Sequence, residues 1–211
     1  MPVRPARLAV AVWVLGLIAA AIALAEERAA TKVITRLNAV LLDVLQHAEA
    51  LGYQGRFEKL MPVVADTFDL AFMAEKSIGK HWKTLSDQEK ADWVKLFHEF
   101  TAATYAGNFD HFSGQRFEIA GEEPSQNDTV VVHTTLVDPG GENTDLDYRL
   151  HQTAASPKVI DIYLKGTVSQ LALQRSDFTS ALDRGGLDAL ATTIRAKITD
   201  LAAGRAKRKS G

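Results

Sequence analysis

The hydrophobic pattern of the chain changes near Asp110. Between residues 31 and 111, apolar side chains recur with the period of an α-helix. The clearest stripe predicts an amphipathic helix that Gly52 can end; its members are Val33, Ile34, Leu37, Leu41, Val44, Leu45 and Ala48. The first half of the chain is therefore predicted to be helical.

Further helices are predicted in the same half. They cover residues 55–61, a short helix beginning at Pro62, and residues 68–82 with a break at Gly79. Ser86 and Glu89 then form an S-x-x-E capping box, which predicts the start of the longest helix. Its apolar stripe reaches toward Gly107 or Asn108 and contains Trp93, Leu96, Phe97, Phe100, Thr104 and Tyr105.

From Arg116 onward the period is two, and turn sequences rich in Pro, Gly, Asn and Asp separate the segments. Four strands are predicted, joined as an antiparallel meander: Arg116–Gly121, Thr129–Val137, Asp145–Thr153 and Lys158–Lys165. One face of such a sheet is apolar and must be covered. Two C-terminal helices can supply part of the cover, over residues 168–182 and 187–203, separated by Gly185-Gly186. The predicted class is α+β, a curved antiparallel sheet of four or five strands wrapped by N-terminal and C-terminal helices.

The N-terminus has the pattern of a secretory signal peptide. Arg4 and Arg7 precede an apolar run of about 17 residues, which ends in an A-x-A cleavage site at Ala25. The run is at the short limit for a membrane span, so an uncleaved anchor is the alternative. We predict three segments: a signal peptide at 1–25, a single domain at 26–205, and a basic flexible tail at 206–211.

Composition narrows the classes of function. With 211 residues, 46% hydrophobic and 24% charged, the chain is an ordinary globular one. It has no cysteine, which excludes disulfides, Cys-ligated metals and thiol nucleophiles. The formal charge is −2 and becomes −4 when the two arginines of the leader are removed, so nucleic acid is not an expected partner.

No established catalytic or metal motif occurs. The sequence has no H-x-x-x-H pair, P-loop, G-x-G-x-x-G or G-x-S-x-G. His133 and His151 stand on strands that can be neighbours, but no third ligand accompanies them at suitable spacing. The carboxylates Asp145, Asp147 and Asp161 could place a general base inside the sheet, although a solvated face explains them more simply.

Several short runs follow one another in a distinctive order. They are Phe68-Asp69, residues 78–82, the spaced Phe97, Phe100 and Tyr105, and the C-terminal runs 166–171, 174–178 and 185–190. Together they resemble the MlaC or toluene-tolerance family of periplasmic lipid-binding proteins, over about residues 41–198. The C-terminal runs are most similar to the hopanoid-associated branch known as HpnM. One departure is Gln174, where many members have Tyr.

The resemblance implies a non-catalytic carrier with an NTF2-like cone shape and an apolar cavity. Such a protein would shuttle a phospholipid or a hopanoid between the inner and outer membranes, with the lipid as cargo and no other cofactor. Its partners would be the inner-membrane components of an ABC or RND-type transport system, with an outer-membrane lipoprotein complex as a further partner. The expected location is the periplasm.

Strand alternation and the C-terminal helix supply candidate lipid-binding residues. The apolar set is Phe117, Ile119, Val131, Tyr148, Leu150, Ile160, Ile162, Val168, Leu171 and Phe178. Ordinary core packing is the alternative role for each of them. Arg175, which matches an arginine of the family, is a candidate for contacting a lipid head group or for fixing a helix end.

Two other functions remain open at this point. One is a protein-binding adaptor, which predicts a filled core and an exposed apolar patch. The other is a small-molecule enzyme that uses Asp161 or Asp147 with Tyr148 or His133 in a smaller pocket.

Overall fold

The computed structural model describes residues 29–205; the predicted signal peptide and the predicted C-terminal tail lie outside the described residues. The helices are α1 (residues 29–46), α2 (Ala48–Thr67), α3 (Leu70–Ile78), α4 (Asp87–Asn108) and α5 (Gln170–Ala202), with a 3₁₀-helix at Gly79–Thr84. The strands are β1 (Arg116–Ser125), β2 (Thr129–Val137), β3 (Thr144–His151), β4 (Lys158–Leu164) and β5 (Val168–Ser169). No helix among residues 29–205 is long and apolar enough to cross a bilayer.

Two glycines interrupt helices, one in α2 and one in α5. Gly52 has φ 58° and ψ −175°, and Gly186 has φ 71° and ψ −174°, so each leaves the helical conformation inside an otherwise helical segment. A positive φ with extended ψ is a region that only glycine adopts readily. The predicted break at Gly185-Gly186 is confirmed, whereas the first amphipathic helix ends at residue 46, before Gly52, which interrupts α2 instead.

Three other predicted boundaries are wrong. Pro62 does not begin a new helix but lies inside α2, where the buried neighbours Leu60 and Val64 hold the helix against the core despite one missing backbone donor. Val168 belongs to the short strand β5 rather than to the last helix, which begins two residues later. The strand predicted to end at Gly121 continues to Ser125 beyond an irregularity in its pairing.

The five strands form one antiparallel sheet in sequence order, β1-β2-β3-β4-β5. The predicted meander and the α+β class are therefore confirmed, with the fifth strand supplied by Val168–Ser169. Because each strand pairs with its neighbour along the chain, the helices have to come from the two ends of the sequence to cover the apolar face.

The helices meet the sheet through a few long-range contacts. The backbone N–H of Asp69 donates to the Val159 carbonyl at 2.9 Å, beside a single parallel bridge between Phe68 and Val159. At the opposite edge, the Thr31 N–H donates to Oε2 of Glu122 at 2.9 Å across 91 positions of sequence. These contacts fix the helical layer over β1 and β4, and thereby define the space between helices and sheet.

Helix α4 forms the spine of the helical layer. Its predicted capping box is present, with Ser86 Oγ accepting from the Glu89 N–H at 3.3 Å. The Trp93 indole donates to the Ala74 carbonyl at 3.0 Å and ties α4 to α3. Near the other end, buried Arg56 of α2 donates to the Ala106 carbonyl at 2.9 Å. The helix that faces the sheet is thus held at both ends.

Candidate functional site

A cavity of about 150 Å³ lies between the apolar face of the sheet and the helices. Most of its wall is apolar: the helical side contributes Phe68, Met73, Tyr105, Phe109 and Leu171, and the sheet contributes Leu146, Ile162 and Leu164. Five uncharged polar side chains complete it, namely Thr101, Thr104, Asn108, Gln170 and Gln174. No charged residue lines this cavity, so it is suited to hydrocarbon rather than to an ionic ligand.

Strand register shows which side chains face the helices. Tyr148 lies opposite Val132 on one side and Ile162 on the other, and the three share a face. Phe117 and Ile119 of β1 pair with Leu136 and Thr134 and extend the same face toward the sheet edge. Five of the candidates therefore lie on the helix-covered face: Phe117, Ile119, Tyr148, Leu150 and Ile162. Of these, Ile162 lines the cavity itself.

Two of the candidate strand residues are placed differently. Val131 pairs with Arg149 on the opposite face, while its neighbour Val132 is fully buried under the helices. Ile160 falls at an irregularity of the ladder, where Leu150 pairs with Val159 and the preceding residue pairs across to Asp161. A bulge of this kind redirects a side chain, and Ile160 lines a different recess.

The C-terminal candidates divide into three positions. Val168 is 41% exposed on β5, and Leu171 lines the cavity at the start of α5. Phe178 is buried among helices, with its ring centroid 5.6 Å from Trp93 and 6.2 Å from Phe100. Arg175 is exposed on α5, and its guanidinium packs so closely over Gly79 that a Cβ there would lie 3.1 Å from Nε.

Two phenols are buried between the sheet and the helices, and one of them, Tyr105, lines the cavity. Burial raises the pKa of the Tyr148 hydroxyl well above its ordinary value, and the neighbouring Tyr105 hydroxyl opposes this only in part. Burial likewise raises the pKa of Tyr105. The Tyr148 hydroxyl makes no hydrogen bond of good geometry. Both phenols therefore stay protonated at neutral pH, and neither can act as a base there.

The residues of the enzyme hypothesis do not converge. The Asp161 carboxylate accepts from the N–H groups of Ile162 at 2.8 Å and Leu171 at 3.1 Å, which caps the start of α5. Asp147 contacts His133 at 3.2 Å, but both lie on the opposite face of the sheet from Tyr148. The structure thus brings together one predicted pair, His133 with Asp147, outside the cavity.

The two candidate metal-binding histidines are also apart. His151 pairs in register with Thr129, four positions along β2 from His133, which is about 13 Å at the usual strand rise. The two imidazoles contact different carboxylates: His151 contacts Asp69 at 2.9 Å, and His133 contacts Asp147 at 3.2 Å and Glu123 at 3.3 Å. Among residues 29–205 no group of three or more His, Asp or Glu side chains could hold a metal ion.

Sequence reasoning missed most of the helical wall of the cavity. Thr101 and Asn108 recur at helical spacing on α4 with Thr104, a member of the predicted stripe, and this is the signal that could have marked them. Leu146 and Leu164 were missed as well, although they share the alternation of Tyr148 and Ile162.

Comparison with known proteins shows the family and the fold to which this chain is similar. The family model of the MlaC protein matches residues 35–196. Among solved structures, the chain is similar to the phospholipid-binding protein from Ralstonia solanacearum, which was determined in complex with a phospholipid. The two share 21% sequence identity and superpose with a TM-score of 0.71 over 84% of this chain and 99% of the other. The match at that identity shows a common fold, and the family match covers most of the sequence. This chain therefore belongs to the MlaC family.

Proposed function

We propose that the protein is a periplasmic lipid carrier that holds the tails of a phospholipid or hopanoid between the sheet and the helices. The observation that carries the proposal is the uncharged, largely apolar cavity between helices and sheet, in a chain of the MlaC family. The similar Ralstonia solanacearum protein binds a phospholipid, which supports the phospholipid alternative. Carriage needs no catalytic group, and this suits a site without charged residues.

The energetics explain why such a container is needed. A two-chain lipid has on the order of 30 methylenes, and at ~0.8 kcal/mol each their exposure to water costs more than about 20 kcal/mol. The tails are already in hydrocarbon when they lie in a bilayer. A dry protein cavity replaces one apolar environment by another, so transfer can be nearly neutral and reversible without bond chemistry.

The size of the cavity implies that it opens. Small-molecule sites usually enclose ~300–1,000 Å³, and a cavity of about 150 Å³ is below that range. The start of α5 is the mobile wall in our proposal, because Leu171 and Gln174 border the cavity while Phe178 anchors the helix further along. Gly166, with φ 70°, precedes this wall and provides a hinge. Cargo then enters as the N-terminal end of α5 moves away from β4.

The partners and the location complete the proposal. A cleaved signal peptide at 1–25 delivers residues 26–211 to the periplasm, as a single lipid-binding domain at 26–205 followed by a short basic tail. There the carrier exchanges lipid with the inner-membrane components of an ABC or RND-type system and with an outer-membrane lipoprotein complex. Within the family we assign it to the hopanoid-associated HpnM branch, on the similarity of its C-terminal runs.

The test is native mass spectrometry of the mature protein, purified from a periplasmic extract without detergent, combined with organic extraction of bound material. We expect one diacyl lipid or hopanoid per chain, which would identify the class of cargo directly. A mass equal to that of the bare chain, unchanged after incubation with lipid vesicles, would refute carriage.

A further inference from the structure

The sheet has a long open edge at β1. This strand pairs with β2 on one side, and among residues 29–205 no other segment forms a hydrogen bond with its backbone. The strand at the opposite edge, β5, has two residues and runs directly into α5. Unpaired N–H and C=O groups along an edge strand are a template for another strand. The free edge of β1 can therefore accept one.

Only the second half of β1 carries features that discourage such pairing. The ladder with β2 is irregular after Ile119, and Pro124 has no backbone donor. Residues 115–119 contain neither a bulge nor a proline, and the bend at Gly114, with φ 97°, limits their other end. The open edge is thus a straight segment of five residues with Phe117 at its centre.

The sequence of this segment is complementary to itself. Antiparallel pairing of two copies about a two-fold axis at Phe117 places Arg116 of each copy opposite Glu118 of the other. An axis at Arg116 or at Glu118 would instead place like charges opposite each other. The charges therefore favour a second copy of this chain, in one register.

Both charged side chains are available for this exchange. Arg116 and Glu118 are 57% and 56% exposed, and the Nε and Nη2 groups of the arginine donate to the same carboxylate oxygen, Oε1, at 2.9 and 2.6 Å. Within the described part of the chain, Arg116 Nη1 and Glu118 Oε2 have no partner. Opposite residues of antiparallel strands have Cβ atoms about 4.5–5.5 Å apart, so these free groups can meet the second copy. Two arginines and two glutamates then form a closed network, which is more effective than an isolated exposed ion pair.

Aromatic side chains add an apolar contact at the same edge. Phe117 is half-buried and stacks on Phe109, with ring centroids 6.2 Å apart, so its ring is held in place. The two-fold axis puts the Phe117 rings of both copies side by side, and an aromatic cross-strand pair is favourable. Phe112, in the loop before β1, is 38% exposed and adds apolar surface beside the segment.

We propose that two copies of the protein pair antiparallel through residues 115–119 and join their five-stranded sheets into one sheet of ten strands. A strand pair of this length buries less than the ~1,200 Å² of a standard interface, so the dimer is transient, with a dissociation constant on the order of 10 μM. The start of α5, which borders the apolar cavity, lies at the other end of the sheet and stays free. The dimer does not depend on lipid carriage.

The test is sedimentation velocity of the mature protein over concentrations that bracket about 10 μM. Arg116→Glu and Glu118→Arg should each weaken the dimer by on the order of tenfold or more, because symmetry turns both cross-strand pairs into like charges. A mixture of the two variants should form a heterodimer as tight as the wild-type dimer, since one copy then carries two acidic and the other two basic side chains. The variant with both substitutions should dimerise by itself.

A matched control and a second measurement separate the outcomes. Arg195→Glu makes the same change of charge at an exposed position of α5 and should leave the dimer unchanged. Hydrogen exchange should show the amides of residues 115–119 becoming protected as the protein concentration rises. A wild-type monomer at every concentration would overturn the inference, as would equal dimerisation of wild type and both single variants. Protection of β1 that appears only when a periplasmic extract is added would assign this edge to a different protein and also overturn it.

Discussion

Replacing Leu171 by tryptophan places a large ring at the wall of the apolar cavity. Leu171 borders that cavity at the start of α5 and is half-buried, so a larger side chain can enter without displacing the core. Tryptophan has about six more non-hydrogen side-chain atoms than leucine, and it therefore occupies the space of about six methylenes, each worth ~0.8 kcal/mol when buried. The substitution removes space that the lipid tails need.

The expected loss of affinity follows from that space. If the cavity adjusts so that half of the displaced tail volume is regained, about three methylenes of the lipid still lose their buried position. That loss costs about 2.4 kcal/mol, or about 50-fold in the dissociation constant. The assay is displacement of a fluorescent-acyl lipid from the purified protein by unlabelled lipid. Circular dichroism and thermal unfolding check that each variant is folded, because overpacking can itself cost ~1–3 kcal/mol.

The control lies two residues away on the same helix. Leu173 is 51% exposed and borders neither cavity, so Leu173→Trp adds the same ring to the surface and should bind lipid like the wild-type protein. A folded Leu171→Trp variant with unchanged affinity would refute the placement of the tails beside α5. Equal losses in both variants would show that added aromatic surface, rather than lost cavity, is responsible.

Two further predictions concern the helical layer. Ser86→Ala removes the hydroxyl that accepts from the Glu89 N–H and should lower the free energy of unfolding by ~1 kcal/mol, seen as a lower midpoint in urea. A hydrogen bond from Lys59 lowers the pKa of Asp43, so this pair stabilises the fold above about pH 4, and the contribution is lost as the pH falls through the folded-state pKa. Lys59→Met should therefore raise the pKa of Asp43 toward its ordinary value, measured by NMR titration of the carboxyl carbon.

Each of these two predictions has its own control. Ser86→Thr keeps a hydroxyl at the N-cap and should preserve most of the stability, whereas an unchanged midpoint in Ser86→Ala would show that the cap contributes nothing. For the carboxylate, Lys83→Met removes a cation that does not contact Asp43, and the pKa of Asp43 should not move. An unaltered pKa in Lys59→Met would instead assign the shift to His47, which also contacts Asp43.

In strands where apolar and polar residues strictly alternate, the sequence predicted correctly which side chains face the helices. In β3 the order Leu146, Asp147, Tyr148, Arg149 and Leu150 fixes the orientation of every side chain, and the structure agrees. In β2 three successive valines, residues 130–132, give no such marker. The choice of Val131 over Val132 was wrong for this reason, since a run of identical residues fits either face.

The remaining differences come from tertiary structure. The bulge that redirects Ile160 depends on how β3 and β4 pair, and nothing in the local sequence marks it. The carboxylate of Asp161 in β4 caps the start of α5 and so determines where that helix begins. The apolar pattern of the helix does not show this contact, and Val168 was therefore assigned to the helix instead of to β5. Thr101 and Asn108 resemble surface residues until the sheet is placed beside them.

The meander has a consequence for the order of folding. Every strand pairs with its sequence neighbour, so the sheet forms from contacts of short range, which are the quickest to make. The cavity exists only after the helical half has joined the sheet through remote contacts, such as the bridge from Phe68 to Val159 and the bond from Thr31 to Glu122. We therefore expect the lipid compartment to be the last feature to assemble. Hydrogen exchange should show it opening in excursions that leave the pairs among β1–β4 intact and release only β5 and the start of α5, so the step that admits cargo is a partial reversal of the final folding step.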